Sequence, residues 1–197
     1  AEQGGALSGA VVRANWFQMS LVAGVARETQ RVESDTVDAE GHYVICNVPN
    51  DIALTLARAG CPTLLFETDG KRREGLPARL AQGLAAAGCA DRARLASFPA
   101  SLEGLPWADI DLVIEAVPED LALKRSLFAD LVAHARPDAL VTSNSSSFPI
   151  GAIAEGLPGA QRYFNLHYFM PAHLVPLVEV VCGPGSDPAL AEELAAF

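Results

Sequence analysis

The sequence is short of positive charge and lacks a long apolar run. It contains 14 Lys and Arg against 24 Asp and Glu, a net charge of −10. Because binding of phosphates needs clustered Lys and Arg, this balance argues against a nucleic-acid surface. No apolar run approaches the roughly 20 residues that span a bilayer, and the N-terminus has no basic region followed by an apolar core. We therefore expect no nucleic-acid partner, no membrane association and a cytoplasmic location.

Cysteine is also scarce. The four cysteines form no CxxC or Cys/His spacing, so no metal site is predicted. Most of them lie in apolar contexts, which is typical of reduced, buried thiols rather than of disulfides. They are Cys46, Cys61, Cys89 and Cys182.

What the chain does have is an alternation of short β-rich runs with helical segments from residue 42 onward. The strands are nearly continuous apolar runs, as expected when helices cover both faces of a parallel sheet. We predict an α/β fold with a doubly wound, mostly parallel sheet. The predicted strands are 42–46, 61–67, 93–98, 110–117, 139–144, 162–169 and 177–181; the predicted helices are 51–59, 71–87, 119–135, a short one after Pro149, and 186–197.

The ends of the chain differ in character from this α/β region. Residues 1–41 contain no proline, and we predict a helix over about 10–27 followed by an acidic linker. Residues 42–185 form the α/β domain, and 186–197 begin a further helical domain, with Ser186 or Asp187 as its N-cap. We expect the protein to continue beyond Phe197.

The turn after the first strand of the α/β domain contains no glycine. Dinucleotide-binding sheets carry GxGxxG there, because the glycines let the backbone approach a pyrophosphate. Residues 46–51 read CNVPND instead. Pro49 has no N–H to donate, and Asp51 places a negative charge at the helix N-terminus. Taken alone, this turn argues against binding of a dinucleotide.

Four motifs carry a resemblance to a known family: IDLVIEAVPEDLALKRSLFADL, SNSSS, NLHYFMPAH and LVEVV. In this order and spacing, over about residues 107–182, they resemble the NAD-binding domain of the 3-hydroxyacyl-CoA dehydrogenases. The resemblance implies a Rossmann-type fold, NAD as cofactor and an acyl-CoA or other acyl thioester as substrate. It also implies a smaller C-terminal helical domain that completes the acyl-CoA site and usually makes a homodimer.

The resemblance assigns catalytic roles to three residues. His167 matches the catalytic base, Glu179 the carboxylate that orients it, and Ser146 the hydroxyl that contacts the substrate oxygen. An imidazole with a pKa near neutrality suits this base, and neighbouring strands are able to bring Glu179 to its Nδ1. Met170 departs from the family, which usually has asparagine there. The alternatives are a histidine packed in the core and serines that cap the following helix.

Four further residues are candidates for cofactor binding. Glu67 follows a strand at the place where an acid accepts hydrogen bonds from an adenosine ribose, although a solvated strand-end charge is the alternative. By resemblance, Glu119 and Lys124 lie beside the nicotinamide ribose and Asn144 in the same cofactor-facing turn. An ordinary helix-surface charge is the alternative for Lys124.

Two hypotheses about function follow. The first is an oxidoreductase that transfers a hydride between a 3-hydroxyacyl thioester and NAD, with His167 as general base. The second, motivated by the CNVPND turn, is a degenerate Rossmann domain that does not bind NAD and acts in binding or assembly. A third hypothesis is that the chain is one domain of a larger enzyme and is inactive alone. A hydrolase is disfavoured, because the serines do not lie in GxSxG.

Overall fold

The computed structural model describes residues 10–22, 25–37, 42–46 and 50–197 of the chain. Its strands are β1 (Ala10–Val22), β2 (Val25–Val37), β3 (His42–Cys46), β4 (Thr63–Phe66), β5 (Ala96–Ser97), β6 (Ile110–Glu115), β7 (Leu140–Ser143), β8 (Tyr163–Tyr168) and β9 (Val178–Cys182). Its helices are α1 (Asn50–Ala59), α2 (Gly70–Ala86), α3 (Leu121–His134), α4 (Ile150–Ile153) and α5 (Pro188–Ala196), with 3₁₀ turns at Ala90–Leu95, Trp107–Asp109 and Ala160–Arg162.

The described part of the chain contains a seven-stranded sheet in the order β5-β4-β3-β6-β7-β8-β9. Every neighbouring pair is parallel except β8 and β9, which are antiparallel. The chain builds outward from β3 to β5 and then returns to β6 on the other side of β3. Such a reversal opens a crevice at the carboxyl ends of the strands, where doubly wound sheets bind their ligands. The predicted α/β, Rossmann-type fold is confirmed.

The central strand β6 shows why these runs are apolar throughout. Leu112 and Ile114 pack in a core cluster that includes Ile52 of α1 and Leu194 of α5. Val113 points to the opposite face and packs in a second cluster with α3 and α4. Because each face is covered by helices, a strand in this position needs apolar residues on both sides. This strand carries two acids, Asp111 near its start and Glu115 at its end, and Glu115 is fully buried.

Helix α3 begins two residues later than the predicted 119–135, for a reason visible at its cap. The Asp120 side chain accepts a hydrogen bond from the backbone N–H of Leu123 at 3.0 Å, which makes Asp120 the N-cap. Leu131 of this helix is buried in the core, whereas Leu123 is 44% exposed. Helix α5 is capped in the same way by Asp187.

The helix predicted over residues 10–27 is wrong. Residues 10–22 and 25–27 belong to β1 and β2, which pair antiparallel in a register that sets Val22 opposite Val25. The physical reason is the residue types: Val11, Val12, Trp16 and Phe17 are β-branched or aromatic and favour strands. The division into 1–41, 42–185 and 186–197 stays a prediction.

Two smaller predictions also need comment. The strand predicted over 93–98 is reduced to β5, because residues before it form the 3₁₀ turn Ala90–Leu95. In the glycine-free turn, residues 47–49 lie outside the described residues, so its effect on cofactor binding stays a prediction. Among the described helices, none is long and apolar enough to cross a membrane.

The described cysteines are free thiols in different surroundings. Cys61 is buried, whereas Cys182 is exposed at the sheet edge, so the prediction of buried thiols is wrong for Cys182. Burial raises the pKa of the Cys61 thiol to about 12, although the charge of Arg92 opposes the rise. Because the thiolate is the reactive form, Cys61 is inert in the folded chain.

This contrast predicts selective thiol labelling. In the folded chain at pH 8, Cys182 should react with an alkylating reagent at least about tenfold faster than Cys61, since Cys182 is exposed whereas Cys61 is buried and has a raised pKa. Peptide mass spectrometry after timed quenching measures both rates, and a urea-unfolded sample gives the unprotected rate of Cys61. Equal rates in the folded chain would contradict the packing around α1.

Candidate active site

A cleft of about 720 Å³ opens at the carboxyl ends of β4, β6, β7 and β8. Its lining contains most of the residues that the sequence singled out. They are Glu67, Glu119, Lys124, Asn144, Ser146, His167 and Met170, together with Arg72 and Arg79 of α2. Separate strand ends thus bring side chains that are far apart in the sequence to one crevice.

His167 and Glu179 form a hydrogen-bonded pair at this cleft. They are direct partners across β8 and β9, and His167 Nδ1 lies 3.0 Å from Glu179 Oε2. The His167 side chain is 22% exposed and that of Glu179 is 53% exposed. The predicted contact is therefore present, and the alternative of a histidine packed in the core is wrong. The ring of Phe169 lies against the imidazole, with centroids 4.8 Å apart and the planes tilted by 52°.

The serines after β7 form a turn that is fastened to Glu119. The Ser145 hydroxyl donates to Glu119 at 2.8 Å and accepts from the backbone N–H of Phe148 at 2.9 Å. The backbone N–H of Ser146 donates to Glu119 Oε1 at 2.8 Å, and the Ser146 hydroxyl donates to the same oxygen at 3.3 Å. Ser145 therefore closes a local turn, but it does not cap α4, whose N-cap is Pro149 without a side-chain cap hydrogen bond. Ser146 lines the cleft.

Two asparagines fix this turn against β8. Asn144 Oδ1 accepts from the backbone N–H of Tyr168 at 2.8 Å, immediately after His167 in the chain. The buried Asn165 accepts from the backbone N–H of Ile150 at 2.7 Å and donates to the carbonyl of Phe148 at 3.1 Å. The position of the serine turn relative to His167 is thus set by side-chain amides that satisfy backbone groups.

Lys124 is buried beneath the cleft, so its interpretation as a helix-surface charge is wrong. Its Nζ donates to Glu115 Oε1 at 2.9 Å and to the carbonyl of Val117 at 2.9 Å, and it lies 3.7 Å from Glu119 Oε2. The sequence did not single out Glu115. The available signal was an acid directly after the apolar residues 112–114, since a buried carboxylate needs a partner.

Most of the groups that contact the Glu119 carboxylate favour its charged form. Its partial burial acts to raise the pKa, but hydrogen bonds from Ser145 and Ser146 and the charge of Lys124 outweigh this and lower the pKa below 4.5. Glu119 is therefore ionised at neutral pH and presents a carboxylate to the cleft.

Glu67 lies at the other end of the cleft and is only 6% exposed, so the alternative of a solvated strand-end charge is wrong. Its Oε1 accepts from the backbone N–H of Asp69 at 2.9 Å. Glu67 also borders a smaller cavity of about 250 Å³. The apolar part of that lining is Phe66, Val117, Pro118, Leu123 and Leu127. An acid beside an apolar slot suits the ribose and the base of an adenosine.

Comparison with known proteins decides the family. Residues 48–197 match the sequence profile described as 3-hydroxyacyl-CoA dehydrogenase, NAD binding domain. The chain belongs to this family. The predicted family is confirmed, and the match supports NAD as the cofactor.

The family's relatives include longer proteins. The chain is 37% identical over 140 residues to the peroxisomal bifunctional enzyme of Danio rerio. The aligned region covers 69% of this chain and 19% of that protein. The chain is also 37% identical over 117 residues to the fatty acid oxidation complex subunit alpha of Vibrio campbellii, covering 59% of this chain and 15% of that one. The chain thus spans about a fifth or less of these curated relatives.

Solved structures of the family share the fold. FadB2 of M. tuberculosis is 34% identical, with a TM-score of 0.71 over 79% of this chain and 58% of that one. The 3-hydroxybutyryl-CoA dehydrogenase of Escherichia coli K12 is 30% identical, with a TM-score of 0.69 over 78% of this chain and 35% of that one.

The lowered pKa of Glu119 predicts how stability depends on pH. A carboxyl group whose pKa is lower in the folded state contributes stability above its ordinary value of 4.5, and this contribution is lost as the pH falls through the folded-state value. Glu119→Gln should therefore lower the free energy of unfolding at pH 7, and the difference from the parent should shrink between pH 5 and pH 3. Urea denaturation at each pH measures it.

The matched control is Glu155→Gln, which removes an exposed carboxylate that pairs with Arg125. An exposed pair contributes little, so this variant should stay close to the parent at every pH. A deficit of Glu119→Gln that is the same at pH 7 and pH 3 would contradict the ionised state assigned to Glu119.

Proposed function

We propose that the chain acts as an NAD-dependent oxidoreductase that transfers a hydride between a 3-hydroxyacyl thioester, of the 3-hydroxyacyl-CoA type, and NAD. His167 is the general base, Glu179 orients it, and Ser146 contacts the substrate oxygen. The observation that carries the proposal is the 3.0 Å contact between His167 Nδ1 and Glu179 Oε2 at the edge of the ligand crevice. Family membership supports the same reaction class.

In this proposal the two ring nitrogens of His167 have different roles. Because Nδ1 faces the Glu179 carboxylate, Nδ1 carries the proton of the neutral ring and Nε2 has the lone pair that accepts a proton. Oxidation of the carbinol moves the hydroxyl proton to Nε2 and leaves a carbon–oxygen double bond. Glu179 then stabilises the imidazolium, in the way that a carboxylate orients the histidine of a hydrolase triad.

When bound, NAD would supply the acceptor for the hydride that leaves the same carbon. Glu67 would accept hydrogen bonds from the adenosine ribose, with the apolar slot beside it for the adenine. Glu119 and Lys124 would hold the nicotinamide ribose, with Asn144 in the neighbouring turn. The residues at both ends of the cleft therefore fit NAD, with an acid where each ribose offers hydroxyl donors.

Other predictions made from the sequence remain proposals for this chain. A helical domain beginning at residues 186–197 would complete the site for the acyl-CoA and form a homodimer. The cytoplasmic location likewise stays a prediction.

Replacing the base tests the catalytic proposal. His167→Gln should lower turnover of a 3-oxoacyl-CoA with NADH by about 10³-fold, because in this direction the protonated ring is the general acid, and general acid–base catalysis contributes roughly 10²–10⁴-fold. Absorbance of NADH measures turnover, and circular dichroism checks the fold. The control is His134→Gln, which changes a histidine whose Nδ1 lies 2.7 Å from the carbonyl of Asp130 and which does not line the cleft. Unchanged turnover in His167→Gln would reject the role.

A second candidate function is a degenerate Rossmann domain without NAD binding, favoured by the CNVPND sequence at residues 46–51. Titration with NADH, followed by nicotinamide fluorescence, separates the two. The proposal predicts saturable binding at micromolar to sub-millimolar concentration. It also predicts weaker binding of NADPH, because the Glu67 carboxylate repels a 2′-phosphate. Absence of saturable NADH binding would favour the second candidate.

A further inference from the structure

Glu115, the last residue of β6, is a fully buried acid with three hydrogen-bond donors. Its Oε1 accepts from the backbone N–H of Val117 at 2.6 Å and from Lys124 Nζ at 2.9 Å. Its Oε2 accepts from the Ser143 hydroxyl at 2.6 Å. The carboxylate therefore joins the end of β6 to the end of β7 and to the first turn of α3.

Through Lys124, this buried carboxylate is connected to the cleft. The Lys124 ammonium also donates to the carbonyl of Val117, and it lies 3.7 Å from Glu119 Oε2. Glu119 in turn holds the backbone N–H of Ser146. A continuous set of contacts thus runs from the interior to two residues of the proposed site.

A contribution to stability does not by itself explain why Glu115 and Lys124 form a buried ion pair. Removing two charges from water is costly, and replacing a buried pair by apolar residues of similar size is often neutral or stabilising. Apolar residues, however, do not place an ammonium at a defined point. Among the described residues, Glu115 and Glu119 are the carboxylates within 4.0 Å of this ammonium. Because Glu115 is the nearer and the more buried of the two, it fixes where the charge lies.

We propose that Glu115 is a positioning residue for the cofactor. It holds the Lys124 ammonium, and through it the Glu119 carboxylate, in the place where both contact the nicotinamide ribose. This inference rests on the NAD binding proposed above and goes beyond it, because Glu115 itself is buried and touches no ligand. Its effect is confined to the nicotinamide half of the cleft, since the adenosine half lies at Glu67.

Three variants test the role: Glu115→Gln, Lys124→Met and the double variant. Glu115→Gln should raise the Kd for NADH about tenfold, because a hydrogen bond to a charged group has been loosened. The double variant removes both buried charges, so it should regain thermal stability relative to Glu115→Gln. Its NADH affinity should nevertheless stay at that of Lys124→Met. The Kd for 5′-AMP, measured by calorimetry, should be unchanged in all three.

The matched control is Asp111→Asn, which removes a partly buried acid at the other end of β6, where it pairs with Arg136. This variant should bind NADH like the parent. If Glu115→Gln fails to fold, Ser143→Ala replaces it in the test, because this change removes one of the hydrogen bonds that hold the Glu115 carboxylate. The Kd for NADH should rise in Ser143→Ala, and adding Ser143→Ala to Lys124→Met should weaken binding no further.

Each pattern of results decides a different claim. If the double variant regains both thermal stability and the NADH affinity of the parent, the positioning role is overturned. An equal loss of 5′-AMP and NADH affinity in Glu115→Gln would also overturn it. Unchanged NADH binding in Glu115→Gln would overturn it as well. Absence of saturable NADH binding by the parent chain would overturn the proposed function, and the positioning role with it.

Discussion

The antiparallel register of β8 and β9 is the constraint on which the proposed site depends. It sets His167 directly opposite Glu179. A shift of one residue would bring Val178 or Val180 to that place and turn Glu179 to the other face of the sheet. Since β8 runs parallel to β7, the imidazole also lies at the same edge as the serine turn. Strand pairing thus brings the imidazole and its carboxylate together, at the same edge of the sheet as the serine turn.

Hydrogen bonds to side chains keep the remaining groups in place around that pair. Asn144 ties the serine turn to the backbone beside His167, and Glu119 fastens the same turn from the opposite side. The acid that lines the cleft is balanced by Lys124, which is itself held from beneath by Glu115. In a chain with a net charge of −10, this buried ammonium places a positive charge where the proposed cofactor contacts lie.

How far the sequence predicts this arrangement varies with the range of the interaction. Strand β3 was predicted with its observed bounds, since an apolar run covered by helices is recognisable locally. The helix predicted over residues 10–27 is wrong, because a short apolar pattern fits both the helical and the strand period. The strand that pairs with these residues is seen only in the fold. The burial of Lys124 was missed for the same reason. Its partner, Glu115, is nine residues earlier on a strand, and only the packing of α3 on the sheet brings them together.

The central claim is that Glu179 holds the neutral His167 ring with its proton on Nδ1. Nitrogen-15 NMR of the imidazole, above the pH at which the ring loses its second proton, tests this most directly. The account predicts a protonated Nδ1 and an unprotonated Nε2 for His167, and loss of that preference in Glu179→Ala. A ring of residue 167 that carries its proton on Nε2, with or without Glu179, would contradict the account.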